Sequence, residues 1–306
     1  MNINDVADQV KWVIANPSPG STQIEINGWA FSGSSPEKPI MLMHHANGMC
    51  AACWAPVAAK LADRFSIYAI DARGHGDSQH LTVPEDYSWD YFVSDLSGVA
   101  QQLIETSDHA QIAVGLGSSF GGIVTAAAEA RSPGLFNQVI MLDPPIHSTP
   151  ELVAKLDIDI EVRNTDDRAE LVARTLRRRA HFASREDARE NWRDKPLFAP
   201  WQDAGFDLYL NEGMRDLSDG SVVLKCDPTV EAHIFETTGS LDVAEFGPKV
   251  QAPVHLVHAG KGFFPEAFFA RLVTLFPQGR FYQLQGGHML PLEIPDEVVE
   301  FIGSVI

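Results

Sequence analysis

Gln111-Ile112-Ala113-Val114-Gly115-Leu116-Gly117-Ser118-Ser119-Phe120-Gly121-Gly122 decides how this chain is read. An apolar run passes through two glycines into an alanine-rich stretch, so it reads as strand, sharp turn, helix. Gly117-x-Ser119-x-Gly121 brackets a single serine with glycines, the spacing of a nucleophile elbow. Such a turn forces the serine into a strained backbone, and a Cβ at either flanking position would clash. Ser119 then stands at a helix N-terminus, where N–H groups and the helix dipole favour a developing anion. A small-residue helix start is the competing reading, but it does not explain glycines on both sides of one serine. Ser118 lacks that symmetric bracket.

Outward from this turn, short apolar runs alternate with Gly/Pro turns and amphipathic stretches, the pattern of a parallel sheet covered on both faces by helices. Strands are expected at 40–44, 66–70, 111–115, 138–142, 254–258 and 280–285, nearly all continuous apolar runs, as strands buried on both faces should be. A hairpin is expected from 23–26 and 29–32 around Asn27-Gly28, a strong turn dipeptide. Helices are expected at 54–63, 89–105, 121–130, 266–276 and 296–306. From His147 to Ser240 the rhythm breaks: this stretch holds more than half of the 23 basic residues and looks helical throughout. The expected organisation is an α/β core, 1–145 and 241–306, with a helical cap at 146–240 inserted over one end of the sheet.

Open α/β sheets carry reactive groups on loops at the carboxyl ends of strands. A serine hydroxyl is a weak nucleophile and needs a base. Gly286-Gly287-His288 follows the last expected strand, and a late histidine on a glycine-loosened loop supplies one. The alternative is a histidine capping the final helix.

Two further stretches join the elbow and the late histidine. Asp71-Ala72-Arg73-Gly74-His75-Gly76-Asp77-Ser78 and Met43-His44-His45-Ala46-Asn47-Gly48 follow the second and first of the six expected parallel strands. With these four motifs in order, the chain resembles the α/β-hydrolase superfamily over essentially its whole length. The first stretch looks like that family's D-x-R-G-x-G-x-S turn, which is structural there. The second resembles its H-G-x oxyanion loop, with Ala46 in place of the usual glycine, as in an H-A-N-G subgroup. The resemblance implies a mostly parallel sheet flanked by helices and a serine hydrolase without cofactor or metal. It also implies an oxyanion held by the N–H of Phe120 and by that of Asn47, with Ala46 as the neighbouring candidate. His45 is expected near this loop in a supporting role, and His44 as buried structure.

The acid departs from the family's common pattern. Phe263 stands where an aspartate usually follows the glycine after the seventh strand. Asp143, at the end of Val139-Ile140-Met141-Leu142, is the better candidate, because some members carry their acid on that strand. It would orient the imidazole and stabilise imidazolium. Glu266 is the second candidate, although after Pro265 it suits a helix start. The resulting expectation is a carboxylic ester hydrolase acting through an acyl-enzyme on small to medium esters. The rivals are a carbon–carbon bond hydrolase and a cofactor-free perhydrolase with the same three residues, and a non-catalytic receptor on the same fold.

Composition narrows the rest. Of 306 residues 45% are hydrophobic, enough for a large core, and the net charge of -18 repels phosphate backbones and anionic membranes. A small-molecule substrate is therefore expected, without nucleic acid or membrane, and a homodimer is allowed for. Met1 to Val10 lacks a basic-then-apolar signal pattern, so a cytoplasmic protein is the expectation. Cys50, Cys53 and Cys226 are too few and too unpaired for a disulfide framework or a zinc site, and read as buried or loop thiols. Arg177-Arg178-Arg179 reads as a solvated helix face. Trp192, Phe198, Trp201, Phe206 and Tyr209 read as the cap's own small core.

Overall fold

The computed structural model describes residues 1–145, 150–157 and 165–306. Along the chain run β1 (Ala7–Ala15), β2 (Gln23–Phe31), β3 (Ile40–His44), α1 (Ala55–Leu61), β4 (Ser66–Ile70) and α2 (Trp89–Glu105). Then come β5 (Ile112–Ser118), α3 (Phe120–Arg131) and β6 (Phe136–Leu142). An insert follows, with α4 (Pro150–Leu156), α5 (Thr165–Leu176), β7 (His181–Phe182), α6 (Arg185–Trp192) and α7 (Asp203–Glu212). It continues through β8 (Met214–Asp216), β9 (Val222–Leu224), α8 (Pro228–Glu236) and α9 (Val243–Phe246). The chain closes with β10 (Val254–Ala259), α10 (Glu266–Leu272), β11 (Gly279–Leu284), α11 (Leu290–Glu293) and α12 (Pro295–Val305).

Eight strands form one sheet in the order β1-β2-β4-β3-β5-β6-β10-β11. β1 and β2 pair antiparallel, β2 and β4 likewise, and every other pair is parallel. This is an α/β-hydrolase fold, a mostly parallel sheet with helices on both faces. Alternation along the strands divides the core: Met41 and Met43 of β3 face α1 and α12, whereas Ile40 and Leu42 face α2 and α3. The buried central strands need apolar residues on both sides, which is why they read as continuous runs.

Two strand expectations are corrected. Asn27-Gly28 makes no hairpin turn. It lies inside β2, which pairs with β1 through a loop at 16–22. The glycine serves a close approach instead, since a Cβ on Gly28 would lie 2.2 Å from the Ala69 carbonyl oxygen in β4. The Asn27 amide donates to the Asp77 carbonyl at 2.8 Å. Strand β11 is an edge strand with no fully buried residue, which its Arg280 and Gln283 suit.

The Asp71–Ser78 turn is held from within. Asp71 accepts from the N–H groups of Ala51 at 2.7 Å and Asp77 at 3.0 Å. A Cβ on Gly76, at φ 48°, would fall 2.0 Å from that carboxyl carbon. Arg73 is fully buried and makes two 2.7 Å bonds to Asp95, the fork geometry that a desolvated ion pair needs.

The insert is not helical throughout: β7, β9 and β8 form a small antiparallel sheet. Two- and three-residue strands leave too short an alternation to be seen in a sequence. The expected start of the cap at 146 falls outside the described residues. Trp192, Phe198, Trp201, Phe206 and Tyr209 are all buried, with neighbouring rings 4.7 to 6.1 Å apart. They merge with the core under α1 and α11 rather than forming a separate one.

Candidate active site

Each site residue sits just past the carboxyl end of a strand of the sheet. Ser119 follows β5 with φ 53° and ψ -122°, a conformation that non-glycine residues rarely adopt. The glycine bracket has a steric cause: a Cβ on Gly117 would lie 2.2 Å from the Gly121 carbonyl oxygen, and one on Gly121 would lie 2.3 Å from that of His44. Strain at Ser119 is thus imposed by helix α3 pressing against β5 and β3.

His288 reaches the serine from the loop after β11. Its Nε2 accepts from the Ser119 hydroxyl at 2.9 Å, and its Nδ1–H donates to Asp143 Oδ2 at 2.6 Å. The carboxylate, an acceptor only, thereby selects the tautomer that leaves Nε2 free to take a proton. Asp143 ends β6 at φ 44° and is fully buried. Its other oxygen accepts from the Ala259 N–H at 3.0 Å, and its own N–H donates to Val257 at 2.8 Å. Strand β10 therefore fixes both ends of this residue. Glu266 is exposed at the start of α10 and accepts from Gln283 at 2.9 Å. Phe263, in the family's usual acid position, lies with its ring 5.6 Å from the His288 ring.

Opposite the serine, Ala46 and Asn47 follow β3. Their N–H groups and that of Phe120 have no hydrogen-bond acceptor among the described residues. His45 is fully used by its own loop: Nδ1–H donates to the Ala46 carbonyl at 2.8 Å and Nε2 accepts from Ala72 N–H at 2.9 Å. Burial, with His44 beside it, pushes its pKa down to about 3. It shapes the loop and does not point a free nitrogen at the serine. His44 is also buried, its pKa held by desolvation at about 4.

Three contributions escaped the sequence reading. Glu293 accepts from the N–H of Gly287 at 2.6 Å and of Met289 at 3.0 Å, holding the backbone on both sides of His288. The signal is weak, one glutamate five residues past a histidine. Arg178 is not solvated. It pairs with Glu231 at 2.6 Å and donates to the Tyr209 hydroxyl at 2.6 Å, while Arg177 and Arg179 turn outward. Tyr209 donates in turn to the Gly48 carbonyl at 3.1 Å, and the Asn47 amide donates to the Glu231 carbonyl at 2.9 Å. The insert is thus fastened to the loop after β3 through contacts no local motif announces.

A recess of about 10 Å³ lies beside the serine, room for roughly one water molecule. His45, Ala46, Trp54, Ser118 and Met289 are among its walls. Trp54 Nε1 and Ser118 Oγ are buried without a hydrogen-bond partner, each at a cost of about 1–3 kcal/mol. Among the described residues no group of His, Cys, Asp and Glu side chains could hold a metal ion. Cys50, Cys53 and Cys226 are free, buried thiols.

Residues 41–301 match the model of the alpha/beta hydrolase family. The chain belongs to that family. A 2-(acetamidomethylene)succinate hydrolase from Mesorhizobium japonicum is 32% identical over 106 residues, 34% of this chain and 35% of that protein. A pimeloyl-(acyl-carrier protein) methyl ester esterase from Vibrio vulnificus is 32% identical over 96 residues, 31% of this chain and 32% of the other. The chain thus matches about a third of the length of these curated relatives. Over the whole fold, the crystal structure of an E-2-(acetamidomethylene)succinate hydrolase superposes with a TM-score of 0.76 at 20% identity. That match covers 97% of this chain and 98% of the other, and it shows the shared fold. Family and fold make this chain a hydrolase. Among the described residues no helix is long and apolar enough to cross a membrane.

Proposed function

We propose that this hydrolase cleaves small to medium carboxylic esters through an acyl-enzyme, with Ser119 as nucleophile, His288 as base and Asp143 as orienting acid. The observation that carries the reading is the unbroken line Ser119 Oγ, His288 Nε2, His288 Nδ1, Asp143 Oδ2, at 2.9 and 2.6 Å. In the proposed reaction His288 takes the Ser119 proton as Oγ attacks the carbonyl carbon. The N–H groups of Phe120 and of Asn47, or Ala46, hold the oxyanion, at about 3 kcal/mol each. His288 then protonates the leaving alkoxide. Water, losing its proton to His288, releases the acid and restores Ser119.

The insert at 146–240 acts in this proposal as a cap over the pocket, supported by its bonds to Asn47 and Gly48. The small recess favours short acyl groups. Carbon–carbon hydrolysis would use the same three residues, so a substrate panel distinguishes it. The test is turnover of p-nitrophenyl acetate and butanoate. Ser119→Ala is expected to lose at least roughly 10³-fold in kcat, and a variant that keeps wild-type turnover overturns the proposal.

A further inference from the structure

Three buried side-chain polar atoms among the described residues lack a hydrogen-bond partner: Trp54 Nε1, Ser118 Oγ and Trp201 Nε1. Two of the three belong to residues that wall the same recess. Folded proteins leave few such groups unpaired, and a pair converging on one hollow calls for a partner that is not part of the chain. We propose that this recess is a substrate subsite that takes an uncharged, hydrogen-bond-accepting oxygen of the acyl group, held by Trp54 Nε1–H and Ser118 Oγ–H. The proposal deepens the serine-esterase reading and rests on it.

The chemistry of the two groups sets the ligand. An indole N–H only donates, and a serine hydroxyl can donate, so the incoming atom must accept. A carbonyl or ether oxygen meets that need. A carboxylate does not, because Met49, Cys53, Pro291 and Leu292 supply the remaining walls and no lysine or arginine lines the recess. An anion would be desolvated there without a counter-charge. His45 cannot provide one, since both its ring nitrogens are engaged by the backbone.

Position sets the part of the substrate. Ser118 directly precedes the proposed nucleophile, Ala46 belongs to the proposed oxyanion loop, and Met289 directly follows His288. The recess is therefore bracketed by the chain neighbours of all three working elements. The portion of the substrate that remains bound to Ser119 in the acyl-enzyme is the portion within its reach. Its size, about one water, matches a single oxygen rather than a longer polar chain.

The test compares p-nitrophenyl methoxyacetate with p-nitrophenyl butanoate, which differ by one oxygen in place of a methylene. Fluorophosphonate titration first counts competent sites in wild type, Trp54→Phe and Ser118→Ala. The wild-type ratio of kcat/KM, corrected for the two esters' alkaline hydrolysis rates, is expected to favour the methoxy ester. That preference should fall by about tenfold in each variant. An unchanged ratio in both titrating variants overturns the subsite. Should the wild type fail to titrate, the nucleophile reading falls, and the subsite is read without chemistry. In that case the Trp54 indole N–H resonance, assigned from Trp54→Phe, should shift with methoxyacetamide and not with butanamide. Equal response to the two amides overturns it.

Discussion

The sheet and the insert reach the same pocket by opposite means. At the sheet edge, the serine, the acid and the histidine are held by backbone: a φ of 53° at Ser119, a φ of 44° at Asp143, and N–H groups on both sides of His288 captured by Glu293. In the insert, placement depends on side chains that meet across long stretches of sequence, Arg178 with Glu231 and Tyr209 with Gly48. The first kind of constraint leaves glycines and fixed spacings in the sequence. The second leaves only residue types that are common anywhere. A site of this kind combines a rigid edge, which suits chemistry needing sub-ångström placement, with a cover whose hold on the oxyanion loop is a handful of polar bonds.

Breaking the rigid side should cost most. Asp143→Asn keeps the shape but presents the wrong hydrogen-bonding partner to His288, so kcat for p-nitrophenyl butanoate should fall by roughly 10⁴-fold with little change in fold. A fall under tenfold, with Glu266→Gln showing the larger loss, would move the acid to α10. On the insert side, Arg178→Met strands the Glu231 carboxylate in a buried place. Loss of about 3–5 kcal/mol of unfolding free energy is expected in urea titrations, with a rise in KM as the hold on Asn47 and Gly48 loosens. Unchanged stability would mean that the insert does not depend on this pair.

A smaller effect comes from pH and sharpens the same contrast, because it acts on the core beneath the site. His44 and His45 are buried with pKa values of about 4 and 3, both lowered chiefly by desolvation. The unfolded chain takes up those protons near the ordinary histidine value and the folded one does not, so stability is lost as pH falls below about 6.5. Asp71 works the other way, its pKa raised by burial to about 6. Its protonated form is favoured in the folded state, which offsets part of the loss between about 6 and 4. The net expectation is a drop of about 2–4 kcal/mol in urea-derived stability from pH 7 to pH 5. A flat profile would contradict the burial of neutral histidines under the oxyanion loop.

The same contrast explains what could be read in advance. Gly117, Ser119, Gly121 and His288 were legible because a Cβ clash or a strained turn demands those residue types at those places. Asp143 was legible because a buried strand rarely ends in a carboxylate without a task. Asn27-Gly28 misled, since a glycine needed for close contact with β4 looks identical to one needed for a turn. Strand β1 escaped notice because its Asp8, Gln9 and Lys11 face solvent at a sheet edge. Strands β7 to β9 were too short to show a period. Arg178 looked like its two exposed neighbours, and only the fold turns it inward. Trp54 and Ser118 carry no motif at all; their unpaired polar atoms exist only once the chain has closed around them.

The most direct measurement of the central claim is intact-mass analysis after exposure to a fluorophosphonate. The account predicts one phosphonyl adduct per chain in the wild type, located at Ser119 by peptide mapping, and no adduct in Ser119→Ala. An unlabelled wild-type chain, or an adduct that survives Ser119→Ala, would contradict it.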